Sequence, residues 1–200
     1  MFTEETKRSL IDNYRTLFLK HGDSPMATQN SLEGQIMRYE QLAKLGDLNG
    51  RTVLDLGCGI GDFYPFLKAL YPGLHYTGID IVPEMIDHAA KRSPEVNFAC
   101  RDVLREGIGG EYDYVLICGV FNNAIPDCTT FLKKMTEVAF SAARTGLAFN
   151  FISTRVNFTS SGMSYHDPLD IFAFCMDRLS RKVNLHHHYA KCDVSVFVYR

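Results

Sequence analysis

The 200-residue sequence lacks the features that mark several special classes of protein. Its six cysteines include no Cys-x-x-Cys pair, which argues against a zinc site or a dithiol motif. No apolar run reaches the ~20 residues that span a bilayer, and Met1 to Lys20 are too charged for a secretory signal. We therefore expect a cytoplasmic protein with free thiols, no metal ion and no membrane partner.

Neither sign of charge is in excess. The chain carries 21 Lys and Arg against 23 Asp and Glu, a formal net charge of −2 at pH 7. A nucleic-acid footprint needs a surplus of basic residues on one face, so this balance argues against a nucleic-acid partner. A hydrophobic fraction of 46% over 200 residues suits a single domain, 1–200, with one core. The oligomeric state stays open.

Hydrophobic periodicity predicts two N-terminal helices followed by alternating strands and helices. The helices are expected over 4–20 and 32–45, where apolar residues recur at helical spacing. The alternation that follows predicts an α/β three-layer sandwich with a mostly parallel sheet. Its predicted strands are 52–56, 75–79, 96–99, 112–118 and 146–152.

The C-terminal part predicts one reversed strand. A helix is expected to begin at Asp167, which can cap it, with Pro168 in the first helical position. Two β-like segments follow at 182–188 and 193–199. Because their connection is so short, the two segments must run antiparallel.

The strongest motif is the turn over Asp55–Gly61, which leaves the first strand with glycine at 57, 59 and 61. Glycines permit positive φ and the close approach of a ligand, and amides at a helix start can meet polar ligand atoms. Such a turn suits a dinucleotide or S-adenosylmethionine. The dinucleotide pattern Gly-x-Gly-x-x-Gly needs glycine where Asp62 stands. Carboxylates at Asp55 and Asp62 repel a pyrophosphate and suit an ammonium group.

Two further acids follow the second and third predicted strands. Asp80 can accept hydrogen bonds from both ribose hydroxyls of a nucleoside, or it can cap the helix that begins near Pro83. Asp102 can accept a hydrogen bond from an adenine amino group, or it can cap a turn. Since parallel strands end at one edge of a sheet, both acids are expected near the glycine turn.

Residues 52–118 resemble the cofactor-binding half of the class I S-adenosylmethionine-dependent methyltransferases. The segment Val53–Gly61 is similar to their glycine motif, Asp80 to their ribose-binding acid and Asp102 to their adenine-contacting acid. The resemblance implies S-adenosyl-L-methionine as cofactor and S-adenosyl-L-homocysteine as product. It also implies a Rossmann-like sheet in the order 3-2-1-4-5-7-6 with strand 7 antiparallel, and an N-terminal helical lid over 1–48 on a core of 50–200.

A set of cofactor-binding residues follows from the motifs and the resemblance. The resemblance implies that Ile81 and Val103 line the adenine pocket. Arg38 can pair with the methionine carboxylate or lie on a solvated helix face. Tyr14 can stack near the sulfonium or pack in the helix core. The expected set is Tyr14, Arg38, Asp55, Gly57, Cys58, Gly59, Gly61, Asp80, Ile81, Asp102, Val103, Cys118 and Gly119.

The acceptor side is expected after the fourth strand and in the polar insert 153–167. Residues 118–124 lack the Asn/Asp-Pro-Pro-aromatic motif of nucleobase-amine methyltransferases, so we expect a small-molecule substrate. Methyl transfer needs mainly an oriented nucleophile, and no catalytic triad is evident. If a general base is used, His166 is the first candidate and His21 the second. The expected substrate contacts are Phe121, Asn122, Asn157 and Tyr165.

Two other functions compete with this interpretation. A nicotinamide-dependent oxidoreductase is disfavoured by Asp62 and by a chain too short for a second nucleotide-binding half. A methyltransferase-like module would bind the cofactor without turnover. The acceptor atom, whether O, N, S or C, is not determined by the sequence.

Overall fold

A seven-stranded sheet forms the centre of the computed structural model, which describes residues 3–28, 31–190 and 192–200. Its strands are β1 (Thr52–Leu56), β2 (His75–Asp80), β3 (Asn97–Cys100), β4 (Tyr112–Ile117), β5 (Ala143–Ile152), β6 (Lys182–His186) and β7 (Asp193–Tyr199). The order is β3-β2-β1-β4-β5-β7-β6. Strand β7 runs antiparallel to β5 and β6, whereas the other neighbouring pairs are parallel. The predicted order and the predicted reversed strand are confirmed.

Helices cover both faces of this sheet. The predicted helix over 32–45 ends at Leu42 and continues as a 3₁₀ turn over Ala43–Leu45. The short helix after β3 was not predicted, because four residues are too few to show a helical period. The α-helices of the described residues are α1 (Glu4–His21), α2 (Leu32–Leu42), α3 (Phe63–Leu70), α4 (Pro83–Arg92), α5 (Val103–Glu106), α6 (Cys128–Ala142) and α7 (Pro168–Arg178).

Side-chain caps set the starts of three helices. At α1 the Thr6 amide donates to the Thr3 hydroxyl at 3.1 Å, and Ser31 caps α2 in the same way. At α7 the Leu169 amide donates to Asp167 at 2.9 Å, as the sequence predicts. Such caps satisfy amides that have no partner inside the helix.

Strand β5 separates two apolar layers. Phe149 belongs to a buried cluster with Leu132 of α6. The preceding residue, Ala148, belongs to a different cluster with Leu42 and Leu67. The alternation follows from the two-residue period of a strand. Because Leu42 is fully buried, α2 is part of a packed layer of the sandwich as well as part of the predicted lid.

The cysteines, possible metal sites and possible membrane spans are described for residues 3–28, 31–190 and 192–200. All six cysteines are free thiols. No group of three or more His, Cys, Asp or Glu side chains there is arranged to hold a metal ion. No helix in this part combines the length and the apolar content of a membrane span.

Replacing a core phenylalanine tests the central place of β5. Phe149 is completely buried, so Phe149→Ala should lower the free energy of unfolding by about 3–5 kcal/mol through lost apolar contact and the cavity left behind. Phe158→Ala is the matched control, because that side chain is 61% exposed and its loss should change stability by less than about 0.5 kcal/mol. Urea unfolding measures the free energy of unfolding of both variants. Equal losses of stability would contradict the assignment of Phe149 to the core.

Candidate functional site

A cavity lies where β1, β2 and β4 end, beside the point at which the strand order reverses. Connections leave β1 and β4 in opposite directions there, and the crevice between them is where open α/β sheets bind ligands. Helices α1 and α2 complete its wall. Gly61 is the one predicted cofactor residue outside the described lining. The predicted residues that line the cavity are Tyr14, Arg38, Asp55, Gly57, Cys58, Gly59, Asp80, Ile81, Asp102, Val103, Cys118 and Gly119.

Hydrogen bonds tie the glycine turn to the end of β2. The amides of Gly57 and Cys58 donate to the Ile79 carbonyl oxygen at 2.7 and 3.1 Å. The Gly59 amide donates to Oδ2 of Asp80 at 2.8 Å. These three amides are therefore engaged within the protein, and they fix the turn against the strand that carries Asp80.

Two glycines of this turn are required by conformation and space. Gly57 and Gly61 have φ values of +80° and +79°, which side chains rarely adopt. A Cβ atom on Gly57 would overlap the Val120 side chain, and one on Gly61 would lie 3.0 Å from the Phe98 ring and 3.2 Å from the Cβ atom of Ala89. Gly61 thus allows the turn to pack against β3 and α4, which explains why it lies outside the cavity.

Asp80 presents its carboxylate at the edge of the cavity. Besides the Gly59 amide, the Val82 amide donates to Oδ1 at 2.9 Å, immediately before α4. An ionised carboxylate accepts about four hydrogen bonds, so it retains capacity for two hydroxyl groups. Burial raises the pKa of Asp80, and the hydrogen bonds from Val82 and Gly59 oppose that rise. Holding the turn and binding a ribose are compatible roles.

Asp55 is a buried carboxylate with one unpaired oxygen. Its side chain is 2% exposed, Oδ2 accepts the Tyr76 hydroxyl at 2.5 Å, and Oδ1 has no hydrogen-bond partner among the described residues. Burial raises the pKa of Asp55 to about 7, and the Tyr76 hydrogen bond opposes that rise. An unpaired buried oxygen is unfavourable, and an ammonium group in the cavity would supply the missing donor. The residues present therefore fit the amino-acid end of S-adenosylmethionine.

Ion pairs hold α1 over the cavity. Lys7 Nζ lies 3.0 Å from Oδ2 of Asp102, and Arg15 Nε lies 2.6 Å from Oε1 of Glu84. The Arg15–Glu84 pair is more exposed than the Lys7–Asp102 pair, and exposed pairs contribute little individually to stability. Asp102, predicted to contact adenine, thus also meets a lysine from α1, a partner that sequence spacing gave no means to identify.

Tyr14 reaches across the cavity to the segment after β4. The Asn123 side-chain amide donates to the Tyr14 hydroxyl oxygen, and both residues line the cavity. Burial raises the pKa of Tyr14 to about 12, so the hydroxyl is neutral at pH 7. The contact closes the cavity between α1 and the segment after β4.

Arg38 projects from α2 into the cavity wall and meets an acid at the start of β7. Its Nε donates to Oδ1 of Asp193 at 2.7 Å, and Nη2 donates to Oδ2 at 3.4 Å. The alternative of a solvated helix-face arginine is therefore wrong, because the guanidinium is paired and mostly covered. Sequence reasoning missed Asp193, which lies 155 positions from Arg38.

Other lining residues lie outside the expected cofactor and substrate sets, although their spacing carries a signal. Gln35 and Tyr39 accompany Arg38 at helical spacing on one face of α2, and Phe131 and Met135 are four positions apart on α6. A search for such pairs near the glycine motif could have found them. The segment after the fourth strand, where the acceptor side is expected, contributes Val120 and Asn123 to the lining. Further lining residues outside the expected sets include Leu10, Thr28, Ile60, Phe63, Met85 and Leu104.

His166 lies outside the cavity lining, in the interior. It is 1% exposed, with Nδ1 3.1 Å from the Thr129 hydroxyl and Nε2 3.2 Å from the Phe121 carbonyl oxygen. Burial lowers the pKa of His166. Both ring nitrogens thus connect α6 with the segment after β4, and the ring does not reach the cavity as a base must. Phe121 is equally buried, with its ring against Phe131 and Phe149.

The other predicted acceptor residues also lie outside the described cavity lining. Asn122 is half-buried, and its carbonyl oxygen accepts the Ser164 amide at 2.8 Å. Asn157 is exposed, and the Tyr165 hydroxyl accepts the Ser160 amide within the insert. The insert doubles back along the end of β5 instead of covering the crevice. His21, at the end of α1, does not line the cavity either.

The known proteins to which this chain is similar share one description. A family model described as a methyltransferase domain matches residues 54–140. A Mycobacterium tuberculosis protein that is named as a methyltransferase is 30% identical over 156 residues, which cover 74% of this chain and 92% of that protein. The 2-methyl-6-phytyl-1,4-hydroquinone methyltransferase of Synechocystis is 31% identical over 126 residues, covering 59% of this chain and 39% of that protein.

A solved structure shares the fold over nearly its whole length. Magnesium protoporphyrin IX methyltransferase from Synechocystis, with bound S-adenosylmethionine, superposes with a TM-score of 0.71 at 20% identity, covering 98% of this chain and 97% of that one. A second structure of that protein contains S-adenosylhomocysteine.

The raised pKa of Asp55 predicts a pH-dependent stability. A carboxyl whose folded pKa of about 7 exceeds its ordinary value of 3.8 binds protons on folding, so its contribution falls as pH rises between these values. From pH 5 to pH 8, wild type should lose about 2–3 kcal/mol relative to Asp55→Asn, at about 1.4 kcal/mol per pKa unit. Urea unfolding of both proteins measures this difference, and parallel pH profiles would contradict the prediction.

Proposed function

The chain belongs to the class I S-adenosylmethionine-dependent methyltransferases, and on that premise we propose that it methylates a small-molecule acceptor inside a cavity that α1 partly covers. As a member of this family it uses S-adenosylmethionine and releases S-adenosylhomocysteine. The bound cofactor supplies a methyl group activated by its positively charged sulfur.

The observation that supports a small acceptor is the closure of the cavity by α1. The Tyr14–Asn123 hydrogen bond and the Lys7–Asp102 ion pair bring α1 onto the carboxyl edge of the sheet. A nucleic acid or a folded protein needs an open groove, whereas a small molecule can be enclosed. We accordingly propose residues 1–48 as a lid on a core of 50–200.

The cavity residues divide by chemistry into three parts. Asp80 suits the ribose hydroxyls. Asp102, with the apolar Ile81 and Val103, suits adenine. Asp55 offers an acceptor for the ammonium group, and Arg38 offers donors for the carboxylate. The remaining proposed contacts are Gly57, Cys58, Gly59, Cys118 and Gly119.

Catalysis is proposed to rest on orientation and exclusion of water. An oriented pair of reactants can gain several kcal/mol over free encounter. Neither His166 nor His21 lines the described cavity, so neither serves as the base in this proposal. Tyr14 and Asn123, which do line it, are better placed to orient the acceptor.

Removing the Asp80 carboxylate should weaken cofactor binding. Each hydrogen bond to a charged group contributes about 1.5–3 kcal/mol, so Asp80→Ala, which removes two of them, should raise the Kd of S-adenosylhomocysteine by at least roughly 10- to 100-fold. Isothermal titration calorimetry measures this change. Asp87→Ala is the matched control, because that acid is exposed on α4 and should leave the Kd unchanged. Equal affinity in wild type and Asp80→Ala, or preferential binding of NADH, would contradict the assignment.

The acceptor class is tested by methyl transfer to fractionated extracts. With S-adenosylmethionine labelled on its methyl group, label should enter metabolites below about 1 kDa, because a concave cavity partly covered by a helix suits small ligands. The protein and nucleic-acid fractions serve as controls for other acceptors. Label confined to either of them would contradict the small-molecule proposal, and cofactor binding without any transfer would favour a module without turnover.

A further inference from the structure

A chain of buried polar groups connects the segment after β4 with α2. The Gly119 amide donates to Oδ1 of Asn150 at 2.7 Å. Asn150 Nδ2 donates to Oδ1 of Asp193 at 3.3 Å, and the same oxygen accepts Nε of Arg38 at 2.7 Å. Asn150 and Asp193 are 0% and 3% exposed. Polar groups buried this deeply are unfavourable unless they are paired, and here they are paired with two parts of the cavity wall.

The reversed strand explains how these groups meet. In β5 the chain runs toward the carboxyl edge of the sheet, where Asn150 stands near its end. Strand β7 runs the other way, so its first residue, Asp193, lies at that edge, opposite Ile152. An acid at the start of a parallel strand would lie at the far edge, away from the cavity. The antiparallel direction of β7 therefore places a carboxylate beside the ligand crevice.

Asn150 determines the orientation of the peptide between Cys118 and Gly119. A trans peptide is planar, with its N–H and C=O groups pointing in opposite directions. Since the Gly119 N–H points to Asn150 on β5, the Cys118 carbonyl oxygen points away from β5, on the side of β1. That side holds Asp55, and both Cys118 and Gly119 line the cavity. The peptide thus turns an acceptor oxygen toward the side of β4 on which β1 and Asp55 lie.

Asp193 determines the position of the Arg38 guanidinium. Two donors of one guanidinium meet the two oxygens of one carboxylate, a geometry that restrains a flexible side chain in direction as well as distance. Burial lowers the pKa of Arg38, but the hydrogen bond and charge of Asp193 more than offset it, so the pKa is raised. Arg38 is consequently held as a cation in the cavity wall.

We propose that Asn150 and Asp193 are positioning residues for the amino-acid end of the cofactor, Asn150 through the Cys118–Gly119 peptide and Asp193 through Arg38. The peptide oxygen and Asp55 form the ammonium side of this subsite, and Arg38 forms its carboxylate side. The inference rests on the cofactor role proposed for the cavity. Neither residue touches the ligand, so both act through the groups they hold.

The experiment compares two ligands that differ only at that end. S-Adenosylhomocysteine carries the amino acid, whereas 5′-methylthioadenosine keeps the adenosine and the sulfur without it. In calorimetric titrations, Asn150→Ala and Asp193→Asn should each raise the Kd of S-adenosylhomocysteine by about tenfold or more. The Kd of 5′-methylthioadenosine should stay within about twofold of wild type. Asp170→Asn, which removes an exposed acid paired with Lys133, should change neither.

A double-mutant cycle tests whether Asp193 acts through Arg38. If it does, Asp193→Asn should cost little further affinity in an Arg38→Met background. Additive losses would overturn that route, and equal losses for both ligands, or none, would overturn the positioning role. Asp193→Asn retains the side-chain shape, so it carries the test if Asn150→Ala does not fold. Wild-type protein that binds 5′-methylthioadenosine but not S-adenosylhomocysteine would overturn the subsite; binding of neither would overturn the cofactor assignment itself.

Discussion

The hydrogen bonds between the glycine turn and the end of β2 are the constraint on which the site depends. They give the turn a fixed partner in the Ile79 carbonyl oxygen and in the Asp80 carboxylate. Positive φ at Gly57 allows the chain to reverse close to Val120. The turn, Asp80 and the segment after β4 therefore keep one relative position, and a ligand that contacts all three meets a preformed surface.

Around this cavity, acids that are buried or partly buried face groups that can complement their charge. Asp193 is neutralised by Arg38, and Asp102 lies beside Lys7. Asp55 has Tyr76 on one oxygen and no described partner on the other, which burial makes unfavourable for the ionised form. A cationic ligand would remove this cost. The unpaired oxygen therefore lowers the stability of the ligand-free protein but makes the site complementary to a cation.

Sequence reasoning predicted that Asp80 and Asp102 lie near the glycine turn, and both line the cavity with it, whereas the loop residue His166 does not. The position of Asp80 follows from local rules, since it ends an apolar run after a glycine turn, and parallel strands share a carboxyl edge. The polarity of the surrounding sequence favours His166 as a general base, yet the insert folds back so that the histidine is buried against Thr129 and Phe121. No periodicity describes such a loop, because its path depends on long-range backbone contacts such as that between Ser153 and His166.

The strand order was implied by the resemblance to the class I methyltransferases. The sequence by itself determined the alternation of strands and helices, the antiparallel pair near residue 190, and the group of acids and glycines at one sheet edge. These features follow from the two- and 3.6-residue periods and from turn chemistry, which act over a few residues. Only the tertiary structure decided that Asp193 pairs with Arg38, that Lys7 meets Asp102 and that Tyr14 meets Asn123. Those partners lie about one hundred or more positions apart, and side chains so distant meet only when the packing of whole helices on the sheet brings them together.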